Sequence, residues 1–165
     1  MQDQYDLFLK YIPSASMILD VGFGSGRDML YFSSLGYNVF GIDIVPDFIL
    51  NAKSQGLNVY NMDVNNICLD MSFDGIWACA SLLHLDDIFL PIAHLTKVLK
   101  PNGVIYLSMK YGVGQDNIDG ITYKYMDEHL LSELANNCGL TIKEFNISGD
   151  KLFRGYSWIN CILAK

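Results

Sequence analysis

The sequence predicts a doubly wound, Rossmann-like α/β fold, and three observations carry that prediction. A short apolar run, Met17, Ile18, Leu19 and Val21, leads into a turn with glycines at 22, 24 and 26, followed by a helical pattern from Arg27 to Leu35. Such a run suits a central parallel strand with helices on both faces, and the glycines suit a turn that takes positive φ and lets backbone approach a ligand. Strand-like and helical segments then alternate to the end of the chain without a linker, repeat or low-complexity break. Finally, Asp20 near the end of the first strand and Asp43 after the second stand where an open α/β sheet presents its ligand crevice.

The elements follow in order. Leu7, Phe8 and Tyr11 have helical spacing over 3–11, and Pro13 stops that helix. After the glycine turn, Met29, Leu30, Phe32 and Leu35 are expected to face the sheet, with Gly36 as the stop. Residues 37–42 form a second strand, and Pro46 opens a helix ending near Gln55. Residues 57–61 form a third strand and 73–79 a fourth; a helix then runs from Asp86 or Asp87 to Leu99. The turn Pro101-Asn102-Gly103 enters a fifth strand at 104–109. A polar loop is expected over 110–125, a helix over 127–138, a strand over 140–147 and a closing strand over 155–164.

Composition bounds the function. With 165 residues, 51% of them apolar and 18% charged, residues 1–165 are read as a single packed domain. A net charge of −7 without a Lys/Arg cluster argues against a nucleic-acid partner. No apolar run approaches a membrane span, and the amino terminus lacks signal-peptide character, so a cytoplasmic protein without a membrane role is expected. Cys68, Cys79, Cys138 and Cys161 lack metal-ligand spacing, so no metal is expected, and three of them sit in apolar runs as buried free thiols.

The spacing of the glycines narrows the ligand. A dinucleotide fingerprint, G-x-G-x-x-G, would need glycine where Arg27 stands, and no G-K-S/T follows to make a phosphate loop. What stands here is acid-x-G-x-G-x-G, from Asp20 to Gly26, which resembles motif I of the class I S-adenosylmethionine (SAM) methyltransferases. An acid suits that ligand, because SAM carries an ammonium and a sulfonium but no phosphate. The resemblance extends through F-D-G-I-W-A-C-A-S-L-L-H-L and K-P-N-G-V, so it spans nearly the whole chain in the required order. It implies seven strands in the order 3-2-1-4-5-7-6, mostly parallel with an antiparallel terminal strand. It also implies SAM as cofactor, held by Asp20, Gly22, Phe23, Gly24 and Gly26, by Asp43 at the ribose with Ile44 beside it in the chain, by Met62 and Asp63 at the adenine, and by backbone at Cys79 and Ala80. Within the class, G-S-G-R-D-M-L-Y-F-S-S-L-G-Y-N-V is similar to the tellurite-resistance type, although Phe23 replaces a frequent cysteine there.

The resemblance implies direct in-line methyl transfer to a small-molecule acceptor, a reaction governed mainly by alignment of the reacting atoms. His84 is the candidate base at the mouth of strand four, and Lys110 and Arg154 are candidate substrate-positioning residues. The 110–125 loop and the 153–156 turn, with Tyr123 and Tyr125, are expected to cover a compact anionic or polarisable acceptor. Trp77 and Trp158 are expected in the core. A monomer or homodimer is expected. The alternative function is a non-catalytic SAM-binding sensor or an activating subunit.

Overall fold

The computed structural model describes residues 1–150 and 155–165. In chain order the elements are α1 (Gln2–Leu9), β1 (Met17–Val21), α2 (Arg27–Ser34), β2 (Asn38–Asp43), α3 (Pro46–Ser54), β3 (Asn58–Asn61), β4 (Phe73–Cys79) and α4 (Phe89–Val98). They continue with β5 (Leu99–Tyr111), β6 (Gln115–Ile118), β7 (Ile121–Met126), α5 (Glu128–Asn137), β8 (Thr141–Gly149) and β9 (Ser157–Ala164). Single 3-10 turns stand at Val64–Asn66 and Leu82–His84.

The sheet runs β3-β2-β1-β4-β5 with all neighbours parallel. On its far side β9 lies antiparallel to β5, and β8 antiparallel to β9. The expected doubly wound class is therefore the observed one, but the strand count is not. Nine strands occur among the described residues, because the segment expected as a polar loop folds into the β6–β7 hairpin. One edge of β5 holds β9 from Val104 to Lys110; the other holds β4 as far as Ser108 and then β7 at Lys110 and Tyr111. The hairpin thus takes over the β5 edge where β4 has ended.

Two apolar layers cover the sheet, as alternation of side chains along each strand requires. Ile18, Trp77, Tyr106 and Ile162 face α1, α2 and α3 and pack with Phe8 and Phe32. Leu19, Ile76, Ile105 and Leu107 face α4 and α5, meeting Ile92, Leu95, Leu131 and Leu134. The first layer is aromatic: the Trp77 and Tyr106 rings stack at 4.0 Å, and Phe8 and Phe32 approach Trp77 at 5.2 Å.

Several expectations shift in detail. In α2, Met29 and Phe32 are buried as expected, but Leu30 and Leu35 are 43% and 49% exposed. The inward position belongs instead to Asp28, whose partners are described below. Helix α4 begins at Phe89, later than expected; a 3-10 turn covers Leu82–His84, and Asp87 Oδ1 accepts the Phe89 N–H ahead of the helix. Helix α5 is capped by Asp127, whose Oδ1 accepts from the Leu130 N–H at 2.9 Å. Trp77 is in the core, whereas Trp158 is only half-buried. Of the cysteines only Cys161 is fully buried; Cys79 and Cys138 are half-buried and Cys68 is exposed. No helix among the described residues is long and apolar enough to cross a membrane.

Candidate active site

The carboxyl ends of β1, β2, β3 and β4 enclose a cleft of about 330 Å³. Its wall is the glycine turn. Gly22 takes φ +67°, and a Cβ there would lie 2.6 Å from Ser81 Cβ, so only glycine lets the turn pass beneath the segment leaving β4. Gly24 takes φ +55° with nothing within 4 Å of its missing Cβ, which would project into open space along the cleft. That bare stretch of backbone is open to the cleft. At the end of β2, Asp43 is 8% exposed; its Oδ2 accepts from Gly24 N–H at 3.0 Å and its Oδ1 from Val45 N–H at 2.9 Å. These bonds fix the carboxylate and leave further lone pairs on both oxygens. Met62 and Asp63 follow β3 and line the same cleft, Asp63 Oδ1 also accepting from Asn65 N–H at 2.8 Å. Ile44, Val45 and Phe48 add an apolar side.

Beneath the turn lies a buried carboxyl with an unsatisfied oxygen. Asp20 is 3% exposed and its Oδ2 has no hydrogen-bond partner. Burial pushes its carboxyl well above the usual carboxylate range, and the neighbouring Asp28 and Asp43 carboxylates add to the shift while Arg27 opposes it. Asp28 is the contrary case. Burial would raise its carboxyl, but hydrogen bonds from Arg27, Tyr5 and Trp77 outweigh burial and hold it below the usual range. Those bonds are 2.7 Å from Arg27 Nε, 2.6 Å from the Tyr5 hydroxyl and 2.9 Å from Trp77 Nε1. Asp28 thereby fastens α1 and β4 to the first turn of α2. Ser81 Oγ, on the cleft wall, is also buried without a partner. An N–H donor brought to the free Asp20 oxygen would satisfy it, and a cationic donor would favour its ionised form.

A second hollow, a chamber of about 410 Å³, adjoins the cleft at Ala80, which lines both. Ala80 is a non-glycine residue at φ +53°, a left-handed conformation costing roughly 1–2 kcal/mol. Its N–H is held by the Ser108 carbonyl at 3.1 Å, and this kink turns the chain out of β4 between the two spaces. The chamber floor is a polar patch on the sheet. Asn160, 2% exposed, accepts from Tyr106 and Ser108 hydroxyls at 2.8 and 3.2 Å and donates to Ser148 and Asn146 oxygens at 3.0 and 3.2 Å. Met1 and Gln4 of the α1 end, Arg27, Cys79 and Trp158 complete the walls. Burial pushes the Cys79 thiol up to about 12, so it is no nucleophile at neutral pH.

Of the residues the sequence singled out, Gly22, Gly24, Asp43, Ile44, Met62, Asp63 and Ala80 line the cleft together, and His84 lies at its edge. Asp20 sits beneath it and Cys79 in the chamber. Phe23 and Gly26 do not reach the cleft. Phe23 is 6% exposed and turns into the α1–α2 layer, and Gly26 caps α2. Lys110, expected at the substrate, lines neither space. It is 4% exposed, with Nζ 3.7 Å from the Tyr156 ring centre, 4.2 Å from that of Tyr123 and 5.6 Å from that of Tyr125. Arg154 lies outside the described residues. Asp28, Gln4, Ser81 and Asn160 escaped sequence reading: Ser81 and Asn160 are single polar residues in apolar stretches, Gln4 is one of several polar residues in an amphipathic helix, and for Asp28 only its place directly after Arg27 was a cue.

A glycine-turn cleft at the carboxyl ends of a doubly wound sheet, with Asp43 and Asp63 on its lining, stands where such sheets bind their ligands. Residues 19–107 match the family described as a methyltransferase domain, and the chain belongs to that family. It is 30% identical over 104 residues to the ubiquinone biosynthesis O-methyltransferase of Xanthomonas axonopodis pv. citri, covering 58% of this chain and 44% of that protein. The chain thus spans less than half the length of the curated relatives it matches. Among solved structures, the Burkholderia thailandensis 1,6-didemethyltoxoflavin-N1-methyltransferase, with its substrate and S-adenosylhomocysteine bound, superposes with a TM-score of 0.86 at 21% identity, covering 99% of this chain and 77% of that one. A SAM-dependent methyltransferase of Methanosarcina mazei gives 0.84 at 22% identity, with 98% and 97% covered. These structures share the fold.

Proposed function

We propose that the chain is a SAM-dependent methyltransferase acting on a small molecule by direct in-line transfer. The observation that carries this is the pairing of a bare Gly24 cradle with an unsatisfied, buried Asp20 carboxyl at the end of β1. SAM, when bound, supplies an electrophilic methyl group on a sulfonium. The residues of the chain fit it: Asp20 and the turn suit the ammonium end, Asp43 the ribose hydroxyls, and Met62 with Asp63 the adenine. Ile44, Val45 and Phe48 are exposed apolar side chains on the cleft lining that a bound nucleoside would cover. The acceptor enters the chamber beyond Ala80, where α1 and β9 hold it in place.

His84 lines the cleft and not the chamber, so it is proposed as the base only for an acceptor whose proton-bearing group reaches past Ala80 to the cleft side. Its Nδ1 lies 3.0 Å from the Thr122 carbonyl, which can only accept, so Nδ1 carries the proton and Nε2 of the neutral ring is free to take one. The ring also packs edge-on against Tyr123 at 4.9 Å. The tellurite-resistance type of small-molecule methyltransferase is the proposed relative, supported by Arg27 after the last glycine and by Gly36-Tyr37-Asn38-Val39 at β2. A cytoplasmic setting is supported by the free thiols of all four cysteines.

The test is a pair of measurements on the purified chain. Calorimetry should show one S-adenosylhomocysteine bound per chain, and tritiated-methyl SAM should label a small molecule in a metabolite extract. Binding without any transfer would favour the sensor or activating-subunit reading, and absence of binding would overturn both.

A further inference from the structure

We infer that Ser108 accepts a hydrogen bond from an N–H or O–H of the methyl acceptor, and that Asn160 is the positioning residue that keeps the Ser108 proton turned away from it; this rests on the methyltransferase reading of the adjoining cleft. The first argument is place. Ser108 pairs with Cys79 across β4 and β5, and its carbonyl accepts from the Ala80 N–H at 3.1 Å. Ala80 lines both the cleft and the chamber, and Ser108 lines the chamber. A group bonded to the Ser108 hydroxyl thus stands where the chamber opens toward the cleft. Behind that hydroxyl, Asn160 is buried on β9 among polar groups from three strands. Polar atoms so placed inside a sheet must satisfy one another, and this fixes which of them donate.

The proton directions follow from the Asn160 amide. Its Nδ2 lies 3.4 Å from the Trp158 carbonyl, which can only accept, and 3.0 and 3.2 Å from Ser148 Oγ and Asn146 Oδ1. The amide oxygen faces the other way, toward the Tyr106 hydroxyl at 2.8 Å and the Ser108 hydroxyl at 3.2 Å. Burial pushes the Tyr106 phenol up, so it stays protonated and gives its single proton to that oxygen. Ser108 gives its proton to the same atom, whose two lone pairs serve both bonds. A serine hydroxyl has one proton and two lone pairs. With the proton committed to Asn160, Ser108 meets the chamber as an acceptor, and a ligand N–H or O–H is the group that completes it.

Two probes that differ in one donor test this: 2-naphthol and 2-methoxynaphthalene, titrated by ligand-observed NMR into the full chain with S-adenosylhomocysteine present. Both are two-ring molecules, of a size that a chamber of about 410 Å³ admits. The expected result is 2-naphthol binding roughly three- to tenfold tighter than 2-methoxynaphthalene. Ser108→Ala should weaken 2-naphthol by the same factor and leave 2-methoxynaphthalene unchanged, whereas a packing defect would weaken both. Asn160→Leu frees the Ser108 proton to turn toward the chamber. It should narrow the preference by tightening 2-methoxynaphthalene, a gain that lost packing cannot produce. Equal affinity for the two probes, binding of neither, or a preference that survives Ser108→Ala would overturn the inference. An unchanged preference in folded Asn160→Leu would overturn the role of Asn160. S-Adenosylhomocysteine affinity is read separately by calorimetry. Its absence overturns the methyltransferase reading, while its presence without a Ser108-dependent preference overturns this inference alone.

Discussion

Asp20 is the residue on which the site turns, because its carboxyl is buried, lacks a partner on one oxygen and lies near two other acids. Its folded-state pKa is raised, so the folded protein binds a proton more tightly than the unfolded chain does. The associated stability is fully present below the ordinary carboxylate pKa and is lost as pH rises through the raised value. Cofactor binding has the opposite sign, since an ammonium favours the ionised form. Asp20→Asn should therefore raise the melting temperature of the free protein at neutral pH while weakening S-adenosylhomocysteine, on the order of tenfold or more. In the wild type, affinity should climb with pH through the raised Asp20 pKa, and that climb should vanish in the variant; calorimetry across pH reads both. Gly24 tests the neighbouring backbone. Gly24→Val places a branched side chain in the cleft, at a φ of +55° that β-branched residues resist. Cofactor binding should be lost while circular dichroism still shows the folded sheet. Normal binding would mean that the ligand does not run along this turn.

At the scale of elements, the hairpin β6–β7 is the part that sequence reading could not see. Strand β6 is Gln115-Asp116-Asn117-Ile118, half-buried at best, so it has neither the apolar run of a central strand nor a clean alternation. It forms because β5 outlasts β4 and leaves an edge at Lys110 and Tyr111 for β7 to join. Lys110 then holds the hairpin through the rings of Tyr123 and Tyr125 and reaches Tyr156 before β9. The Tyr125 hydroxyl donates to Asp116 across the hairpin, a bond that pushes the phenol up to about 12. Lys110→Met keeps the length of the side chain but removes the cation. It should cost about 1–2 kcal/mol of stability and speed hydrogen exchange over 115–126, with cofactor affinity unchanged. A variant that exchanges like the wild type would show that the rings pack equally well around a neutral chain. Helix α2 carries a similar lesson: leucine spacing pointed Leu30 and Leu35 inward, yet Asp28 won that face through three side-chain donors that lie far apart in the sequence.

For the molecule as a whole, what was legible was whatever repeats along the chain. Apolar runs gave β1, β2, β4 and β5, and glycines with strand-end acids gave the cleft, because both arise from local geometry. The chamber was not legible. Its floor combines Ser108, Ser148 and Asn160 from three strands that meet only once β9 has paired with β5 and β8. Lys110, a lone cation near the end of a strand, pointed to an anionic acceptor in sequence; the pairing of β5 with β7 on one edge and β9 on the other puts it in a tyrosine enclosure instead. The protein gathers Asp20, Asp28 and Asp43 at one end of the sheet; Arg27, Tyr5 and Trp77 satisfy Asp28 and two backbone N–H groups satisfy Asp43, which leaves Asp20 as the acid with an unpartnered oxygen and a raised pKa.

The most direct measurement is a crystal structure of the chain grown with S-adenosylhomocysteine. The expected result is a ligand extended along Gly22 and Gly24, its ribose hydroxyls within hydrogen-bond reach of Asp43, its adenine beside Met62 and Asp63, and its amino group toward Asp20. A ligand seated elsewhere, or one whose ribose leaves Asp43 holding only the Gly24 and Val45 N–H groups, would contradict it.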